Sequence, residues 1–156
     1  AGLSDLVGDN CPSVREEAVL ALAELGDDGA EYIEKVFEKV NDISPSVRAA
    51  AMTALARMGM KGQCYAGAIA QRLMEYDAAF VRIAAIEALG EMEEHGAAYA
   101  DIVAEYLEDQ QPAVRAAAVA SLGKFGPDGE AFADQIKSLT SDPSGQVKKA
   151  VGEAVL

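Results

Sequence analysis

Very few residues of this chain have the types and spacing that chemistry requires. His95 is the single histidine, and the acidic residues Glu91, Glu93 and Glu94 stand just before it, at a predicted helix end. An imidazole beside a carboxylate could act as a general acid–base pair, and a carboxylate cluster could bind a metal ion. Because no second histidine and no nucleophile motif accompany them, the sequence predicts a solvent-facing loop histidine and a solvated acidic surface.

The two cysteines, Cys11 and Cys64, show neither CxxC spacing nor a histidine cluster nearby. We interpret them as reduced, half-buried thiols in a reducing compartment, with a disulfide or a shared metal site as the alternative. Gly123 and Gly126 lie near a helix end, and no Lys-Ser or Lys-Thr follows a GxxxxG pattern, so no phosphate-binding loop is predicted. No catalytic residue, cofactor or metal is therefore expected, and the chain is predicted not to be an enzyme.

The composition narrows the classes of partner. Of 156 residues, 51% are apolar, 6% are aromatic and none is tryptophan, which favours helices with a core of small and aliphatic side chains. The formal charge of -13 repels phosphate backbones and anionic lipids, so nucleic-acid and membrane-surface binding are not expected. No apolar run approaches the roughly 18 residues of a membrane span, and no signal-peptide pattern opens the chain. A soluble intracellular protein of the cytoplasm or an organelle stroma is expected.

A sequence repeat indicates which elements must position any site. A valine followed by a cation recurs five times, at intervals of 33, 34, 33 and 33 residues. A period of this length is typical of a helical solenoid, because one helix pair cannot cover its own apolar face. The five pairs are Val14-Arg15, Val47-Arg48, Val81-Arg82, Val114-Arg115 and Val147-Lys148, and the column eight residues after each valine is Leu22, Leu55, Leu89, Leu122 and Val155.

Start and stop signals place one amphipathic helix on each Val-cation pair and a second helix after it. Pro45 suits the first helical position and Ser44 the N-cap, while Gly26, Gly59 and Gly126 follow the helix ends. In the third copy the next glycine comes three residues later, so that helix is predicted to run slightly longer. The second helices are predicted to bury an aromatic column, which comprises Tyr32, Tyr65, Tyr99 and Phe132.

An Asp, then Pro-x-Val-Arg, then an Ala-Ala-x-Ala-Leu run ending in Gly resembles the HEAT repeat, and most of all the short HEAT-like type named after phycobilisome lyase subunits. The resemblance covers essentially the whole chain. It implies an all-α fold, a right-handed α-solenoid of about five stacked helical hairpins in a single domain of residues 1–156. The approximate repeats are 1–26, 27–59, 60–93, 94–126 and 127–156, the first and last being incomplete or uncapped.

The resemblance also implies a ladder of ion pairs between adjacent units. The alternative is that the same cations form a basic stripe for phosphate or carboxylate, but the recurring aspartates can neutralise them. The ladder residues are Asp9, Arg15, Asp42, Arg48, Arg82, Asp109, Arg115, Asp142 and Lys148.

The third copy departs from the pattern. One extra residue stands between Tyr65 and Val81, Ala79 replaces the proline, and Asp77 is one place nearer its valine. We predict an altered turn and a local change of superhelical curvature there.

In the resembling family the Val-Arg helices line the concave side, which implies that their non-core positions form a partner-binding face. Leu20 and Ile83 are the exposed apolar candidates on this face, with acidic residues at its margins. Such a trough could accept a helix or an extended peptide, or its small residues could merely relieve crowding on the inner curve. The candidates are Glu16, Leu20, Glu24, Thr53, Arg57, Ile83, Glu87, Glu91, Ala116, Ala120 and Lys124.

The repeats and the resemblance imply a non-catalytic scaffold for protein–protein interaction, or a structural module of a larger protein or assembly. The alternative, implied by the resemblance alone, is a phycobiliprotein-lyase-like subunit that handles a bilin chromophore or its acceptor protein. A protein partner is expected, and neither nucleic acid nor membrane insertion is. The uncapped terminal repeats favour a segment of a longer array over end-to-end self-association.

Overall fold

The computed structural model describes residues 2–154, and every regular element in this part of the chain is a helix. Val155, a member of the predicted leucine column, lies outside the described residues. None of the helices in this range is long and apolar enough to cross a membrane. The helices that carry the Val-cation pairs form one layer, the Val-Arg layer, which comprises α2 (Pro12–Glu24), α4 (Pro45–Arg57), α7 (Ala79–Glu91), α10 (Pro112–Lys124) and α13 (Gly145–Glu153).

Shorter helices form a second layer; α1 (Leu3–Leu6) precedes the first Val-Arg helix, and the others connect the members of the Val-Arg layer. Each connection folds back over the preceding helices and then returns to start the next helix of the layer. The connecting helices are α3 (Ile33–Glu38), α5 (Gly59–Gln63), α6 (Ala66–Met74), α8 (Glu93–Ala97), α9 (Ala100–Glu105), α11 (Pro127–Glu130) and α12 (Ala133–Ser138). The connections also contain four 3-10 segments, at Gly26–Tyr32, Lys39–Asn41, Tyr106–Glu108 and Leu139–Ser141.

Stacking of successive helices generates the solenoid. Within the Val-Arg layer, α2 packs on α4, α4 on α7, α7 on α10 and α10 on α13. In the second layer, α3 packs on α4, α6 on α7 and α9 on α10. Each of these three helices therefore rests on the Val-Arg helix that follows it in the sequence, whereas α5, α8 and α11 contact the Val-Arg helix that precedes them. This confirms the α-solenoid of stacked helix pairs that the repeat period predicts.

One continuous apolar core lies between the two layers. The four described members of the leucine column, Leu22, Leu55, Leu89 and Leu122, are each 0% exposed. The alanines four residues before them, beginning with Ala18, are also buried. A side chain this small lets neighbouring helix backbones approach while the leucines interlock.

The predicted glycine stops are confirmed, with one correction. Gly26, Gly59 and Gly126 have φ values of 58°, 63° and 54°, the left-handed conformation that ends a helix. In the third copy Glu93 takes this conformation, with φ 48°. The prediction of a longer helix there is wrong, since α7 has 13 residues, as α4 and α10 do. Ser44 occupies the N-cap of α4, but its side chain makes no capping hydrogen bond.

A second glycine column fixes the connection after each Val-Arg helix. At Gly96 an added Cβ would lie 1.8 Å from the carbonyl oxygen of Leu89, so the connecting backbone packs directly on the end of α7. This contact holds the stop at the same distance from Leu89 even where Glu93 replaces glycine. This column recurs with the repeat in the sequence and comprises Gly29, Gly62, Gly96 and Gly129.

Gly96→Ala is expected to destabilise the protein by at least the roughly 1–3 kcal/mol that overpacking costs, because the clash is with backbone that cannot rotate away. Urea unfolding at equilibrium would measure the change. The matched control is Gly152→Ala in α13, where an added Cβ meets nothing within 4 Å. That variant should be stabilised by about 0.4–1 kcal/mol, because alanine favours helix over the unfolded chain. Equal effects of the two variants would contradict the close approach.

The second helices differ from their prediction at the aromatic column. Each second helix is interrupted there, since the aromatic residue is the one just before α3, α6, α9 or α12. All four aromatic residues are half-buried, not in the core: Tyr32, Tyr65, Tyr99 and Phe132. Tyr65 shows why, since its hydroxyl donates a 2.7 Å hydrogen bond to Glu34 at the surface. That bond, with burial, raises the pKa of Tyr65 to about 12. Leu25 continues the apolar stripe of Val14, Ala18 and Leu22, which predicts that it is buried, but it is exposed because it follows the last turn of α2.

The third copy has the altered turn that its extra residue predicts. The other second helices end in 3-10 segments, whereas α6 ends at Met74 and Tyr76 adopts a left-handed conformation with φ 54°. This one residue reverses the chain direction and allows α7 to begin at Ala79 without a proline. The change of curvature stays a prediction.

Candidate functional site

Four arginines of the Val-Arg layer each bind an aspartate in the turn before the next helix of that layer. In the most buried pair, Arg82 Nε donates to Asp109 Oδ2 at 3.0 Å, and Arg82 Nη2 donates to Asp109 Oδ1 at 2.9 Å. This fork-to-fork geometry fixes both the distance and the angle between two consecutive units. The four pairs are Arg15–Asp42, Arg48–Asp77, Arg82–Asp109 and Arg115–Asp142.

The same arginines also bind the turn of their own unit. Arg15 Nη1 donates to the carbonyl oxygen of Asp9 at 2.9 Å, and Arg82 Nη1 donates to that of Asp77 at 2.6 Å. Equivalent bonds from Arg48 and Arg115 reach the carbonyl oxygens of Asp42 and Asp109. All four guanidinium groups are thus bound by protein atoms, and they do not present the open basic stripe that a phosphate-binding surface needs.

At three residues the observed ion pairs differ from the predicted ladder. Asp77, which the predicted ladder lacks, accepts hydrogen bonds from both Arg48 and Arg72. The signal was present, because Asp77 occupies the ladder column displaced by the extra residue. Asp9 uses its carboxylate to accept the backbone amide of Cys11 at 2.8 Å. Lys148 is exposed and makes no ion pair within residues 2–154.

The ladder lowers the pKa of Asp42, Asp77 and Asp142. Hydrogen bonds from Arg48 hold the pKa of Asp77 well below its usual range, although burial opposes the shift. The bond from Arg115 likewise lowers the pKa of Asp142. At Asp42 burial raises the pKa, but the bonds from Arg15 and from the Ser44 amide together outweigh it.

Acidification is expected to destabilise the protein below about pH 4. In the unfolded chain aspartate titrates near pH 3.9, so between that pH and the lower folded pKa values of Asp77 and Asp142 the unfolded state binds more protons. The ladder contributes fully to the free energy of unfolding above this pH range, and this contribution is lost as the pH falls through the folded pKa values. Thermal unfolding followed by circular dichroism should show Tm falling steadily from about pH 4 to pH 2. A constant or rising Tm over that interval would contradict the ladder geometry.

A groove with a volume of about 480 Å³ crosses α4, α7 and α10 of the Val-Arg layer. Its floor is made of small side chains, which include Ala56, Ala88 and Ser121. Ser121 donates a 2.9 Å hydrogen bond to the carbonyl oxygen of Ile86, which ties α10 to α7 beneath the groove. Six candidates from the sequence converge in the lining: Thr53, Arg57, Glu87, Glu91, Ala120 and Lys124.

The charges of the groove are partly paired across units. Arg57 lies 3.6 Å from Glu24, and Lys124 binds Glu91. Glu87, in the middle of the groove, is exposed and makes no side-chain hydrogen bond or ion pair in the described part of the chain. Among the residues described, the groove therefore presents one unpaired carboxylate, that of Glu87, together with two ion pairs, Arg57–Glu24 and Lys124–Glu91.

The remaining candidates lie outside the groove lining. Leu20 and Ile83 are half-buried and pack on the core, so they are not the exposed apolar centre that the sequence suggested. Ala116 is buried, because α10 is covered on that face by its neighbours. Glu16 is half-buried on α2, and Glu24 reaches the groove only through its pair with Arg57. Stacking of α4, α7 and α10 therefore brings small and polar side chains together in the groove, and no large apolar side chain of the described residues lines it.

Cys64, Glu94 and His95 line one surface pocket with a volume of about 310 Å³, but within residues 2–154 no hydrogen bond joins their side chains. His95 lies in α8, exposed as predicted, although in a helix and not a loop. Cys11 and Cys64 are free thiols, and the prediction that they are half-buried is wrong, because both lie at turns on the surface. Within residues 2–154 no group of three His, Cys, Asp or Glu side chains could hold a metal ion.

The sequence profile of HEAT repeats matches residues 1–89 and residues 68–155, which together cover almost the whole chain. The chain belongs to the HEAT repeat family. The Arg–Asp ladder and the stacked Val-Arg layer are thus features of a HEAT repeat array. No curated protein matches this array in sequence.

Solved structures show the same fold. The complex of CpcE and CpcF of phycocyanin lyase from Nostoc sp. PCC7120 contains a chain that matches with a TM-score of 0.76 at 20% identity, over 97% of this chain and 95% of that one. An engineered protein matches with a TM-score of 0.72 at 16% identity, over 97% of this chain and 76% of that one. At these identities the likeness concerns the HEAT repeat fold alone.

Proposed function

We propose that residues 1–156 act as one non-catalytic scaffold that binds a protein partner in the groove over α4, α7 and α10. HEAT repeats are typically non-catalytic, and the groove has the form of a contact surface. The observation that carries the proposal is the unpaired Glu87 carboxylate above a floor of alanines. Small floor residues let a partner backbone approach, and a charge above them sets its orientation.

The groove favours a helical or extended segment with a basic residue near its centre. Such a residue would pair with Glu87, while the Thr53 hydroxyl, which has no side-chain hydrogen bond within residues 2–154, would bind a polar group of the partner. The rim pairs of Arg57 and Lys124 are exposed and can rearrange at little cost. A reducing compartment suits the two exposed thiols.

Affinity capture with the full chain, followed by binding of the purified partner, tests the proposal. Ala120→Trp would fill the exposed floor of the groove, and Glu87→Lys would reverse its free charge. Each should weaken binding about tenfold or more, equivalent to about 1.4 kcal/mol. The matched controls are Ala131→Trp and Glu130→Lys, at exposed positions outside the groove, and they should bind as the wild type does. Capture of no partner, together with turnover of a small molecule lost on a point mutation, would overturn the scaffold.

The second candidate is a lyase-like subunit that handles a bilin chromophore or its acceptor protein. It is favoured by one observation, the likeness to a chain in the CpcE–CpcF complex of phycocyanin lyase along 95% of that chain. Mixing the protein with a tetrapyrrole and a candidate acceptor would test it by absorption spectroscopy. A shifted spectrum or transfer to the acceptor supports this function, and an unchanged spectrum with no transfer removes it.

A further inference from the structure

A second surface, distinct from the groove, lies where the third copy departs from the repeat. α6 ends at Met74, Tyr76 reverses the chain, and Phe80 follows in the first turn of α7. These three side chains are 63%, 59% and 52% exposed. An exposed group of large apolar side chains is typical of a contact surface.

Met74 and Tyr76 line a pocket with a volume of about 430 Å³. Its floor is rigid, because the hydroxyl of the buried Tyr106 donates a 2.6 Å hydrogen bond to the Leu73 carbonyl oxygen, and Asp109 is held by Arg82 in the ladder. The pocket thus has a fixed base between two units and an apolar wall.

Two acidic side chains also line the pocket. They are Glu105 and Glu108, which are exposed and take part in no ion pair within residues 2–154. In a chain with a formal charge of -13, these carboxylates add to a field that attracts cations. An aromatic ring and a thioether in one pocket with two free carboxylates suit a side chain with an aliphatic stem and a positive end.

The backbone of Tyr76 supports a role for its ring outside the fold. A tyrosine at φ 54° is strained, whereas glycine adopts this conformation freely. One contact of the ring is with Arg82, whose guanidinium carbon lies 4.3 Å from the ring centroid. Arg82 therefore lies over the ring, while the residue as a whole stays 59% exposed.

We propose that the pocket lined by Met74, Tyr76, Glu105 and Glu108 binds a basic segment of a partner protein. A lysine or arginine lies with its stem along Met74 and Tyr76 and with its charge between Glu105 and Glu108. Apolar residues flanking it cover Phe80. The site is independent of the groove, so a partner can use either surface or both.

A fluorescein-labelled peptide of alternating leucine and arginine tests this site by fluorescence anisotropy with the full chain, against a control peptide with glutamate in place of arginine. The arginine peptide should bind and the glutamate peptide should not. Tyr76→Gly, and separately Glu105→Gln with Glu108→Gln, should weaken binding about threefold or more. The matched control combines Met60→Ser with Glu130→Gln, an exposed methionine and an exposed glutamate elsewhere, and should bind unchanged.

The Tm of the Tyr76 variant and the position of peptide-induced NMR shifts distinguish this proposal from a purely structural role of the ring and from binding in the groove. Tyr76→Gly should keep or raise Tm, because glycine removes the strain; a lower Tm together with lost binding would make the ring structural and overturn the proposal. Backbone amide NMR shifts caused by the peptide should fall at residues 74–80 and 105–110. Shifts confined to the groove, or unchanged affinity of the Tyr76 variant, would also overturn it. Glu87→Lys should leave peptide binding intact, so failure of the groove and failure of this pocket are distinguishable.

Discussion

Replacing Asp109 by alanine is expected to lower the free energy of unfolding by about 3–5 kcal/mol, the effect of removing one partner from a buried ion pair. The side chains of Arg82 and Asp109 are 6% and 1% exposed, so solvent screens them little. Asp109 also accepts the backbone amide of Gln111 at 2.8 Å. Its loss therefore strands a buried guanidinium and unties the turn before α10.

Urea unfolding of the Asp109→Ala variant, with an unchanged m-value, would measure this effect. The control is Glu91→Ala, which removes an ion pair whose two side chains are 60% and 52% exposed and should cost about 1 kcal/mol or less. The double variant Arg82→Met with Asp109→Leu should recover most of the loss, because it leaves no unpaired charge. If the Asp109 and Glu91 variants were equally mild, the ladder would not hold the units together.

Replacing Leu89 by alanine is expected to cost about 2–5 kcal/mol. Leu89 is 0% exposed, and it packs between the two layers of the third unit, so its removal leaves a cavity that rigid neighbours cannot close. Leu55 occupies the same position in the second unit, and Leu55→Ala should behave alike. The effect should spread to adjacent units, because each repeat is stabilised by its neighbours.

The matched control is Glu87→Ala, two residues away on the same helix. Glu87 is exposed in the groove, so its loss should change stability by no more than about 0.5 kcal/mol and should act on partner binding. Thr53→Ala should be similarly mild. Chemical denaturation of all four variants would compare the two faces. Similar costs at Leu89 and Glu87 would show that core and groove had been assigned to the wrong faces of α7.

The difference between prediction and structure is clearest at the third copy. The extra residue near Tyr76 was visible as a break in the period, and the altered turn followed from it. Its consequences did not follow, because the exposure of Met74 and the entry of Asp77 into the ladder depend on how α6 meets α7 in space. Likewise, Leu20 and Ile83 occupy outward positions of their helices, yet neighbouring units half-bury them.

By itself, the sequence determined the α-solenoid, the helix starts at its prolines and the stops at Gly26, Gly59 and Gly126. These depend on local backbone preferences and on an apolar face that one helix pair cannot cover, and both are encoded within each repeat. Only the tertiary structure decided which side chains of different units meet in the ladder, the groove and the pocket beside Tyr76. Those meetings depend on the spacing and angle between stacked helices, and these arise from the packing of several units together.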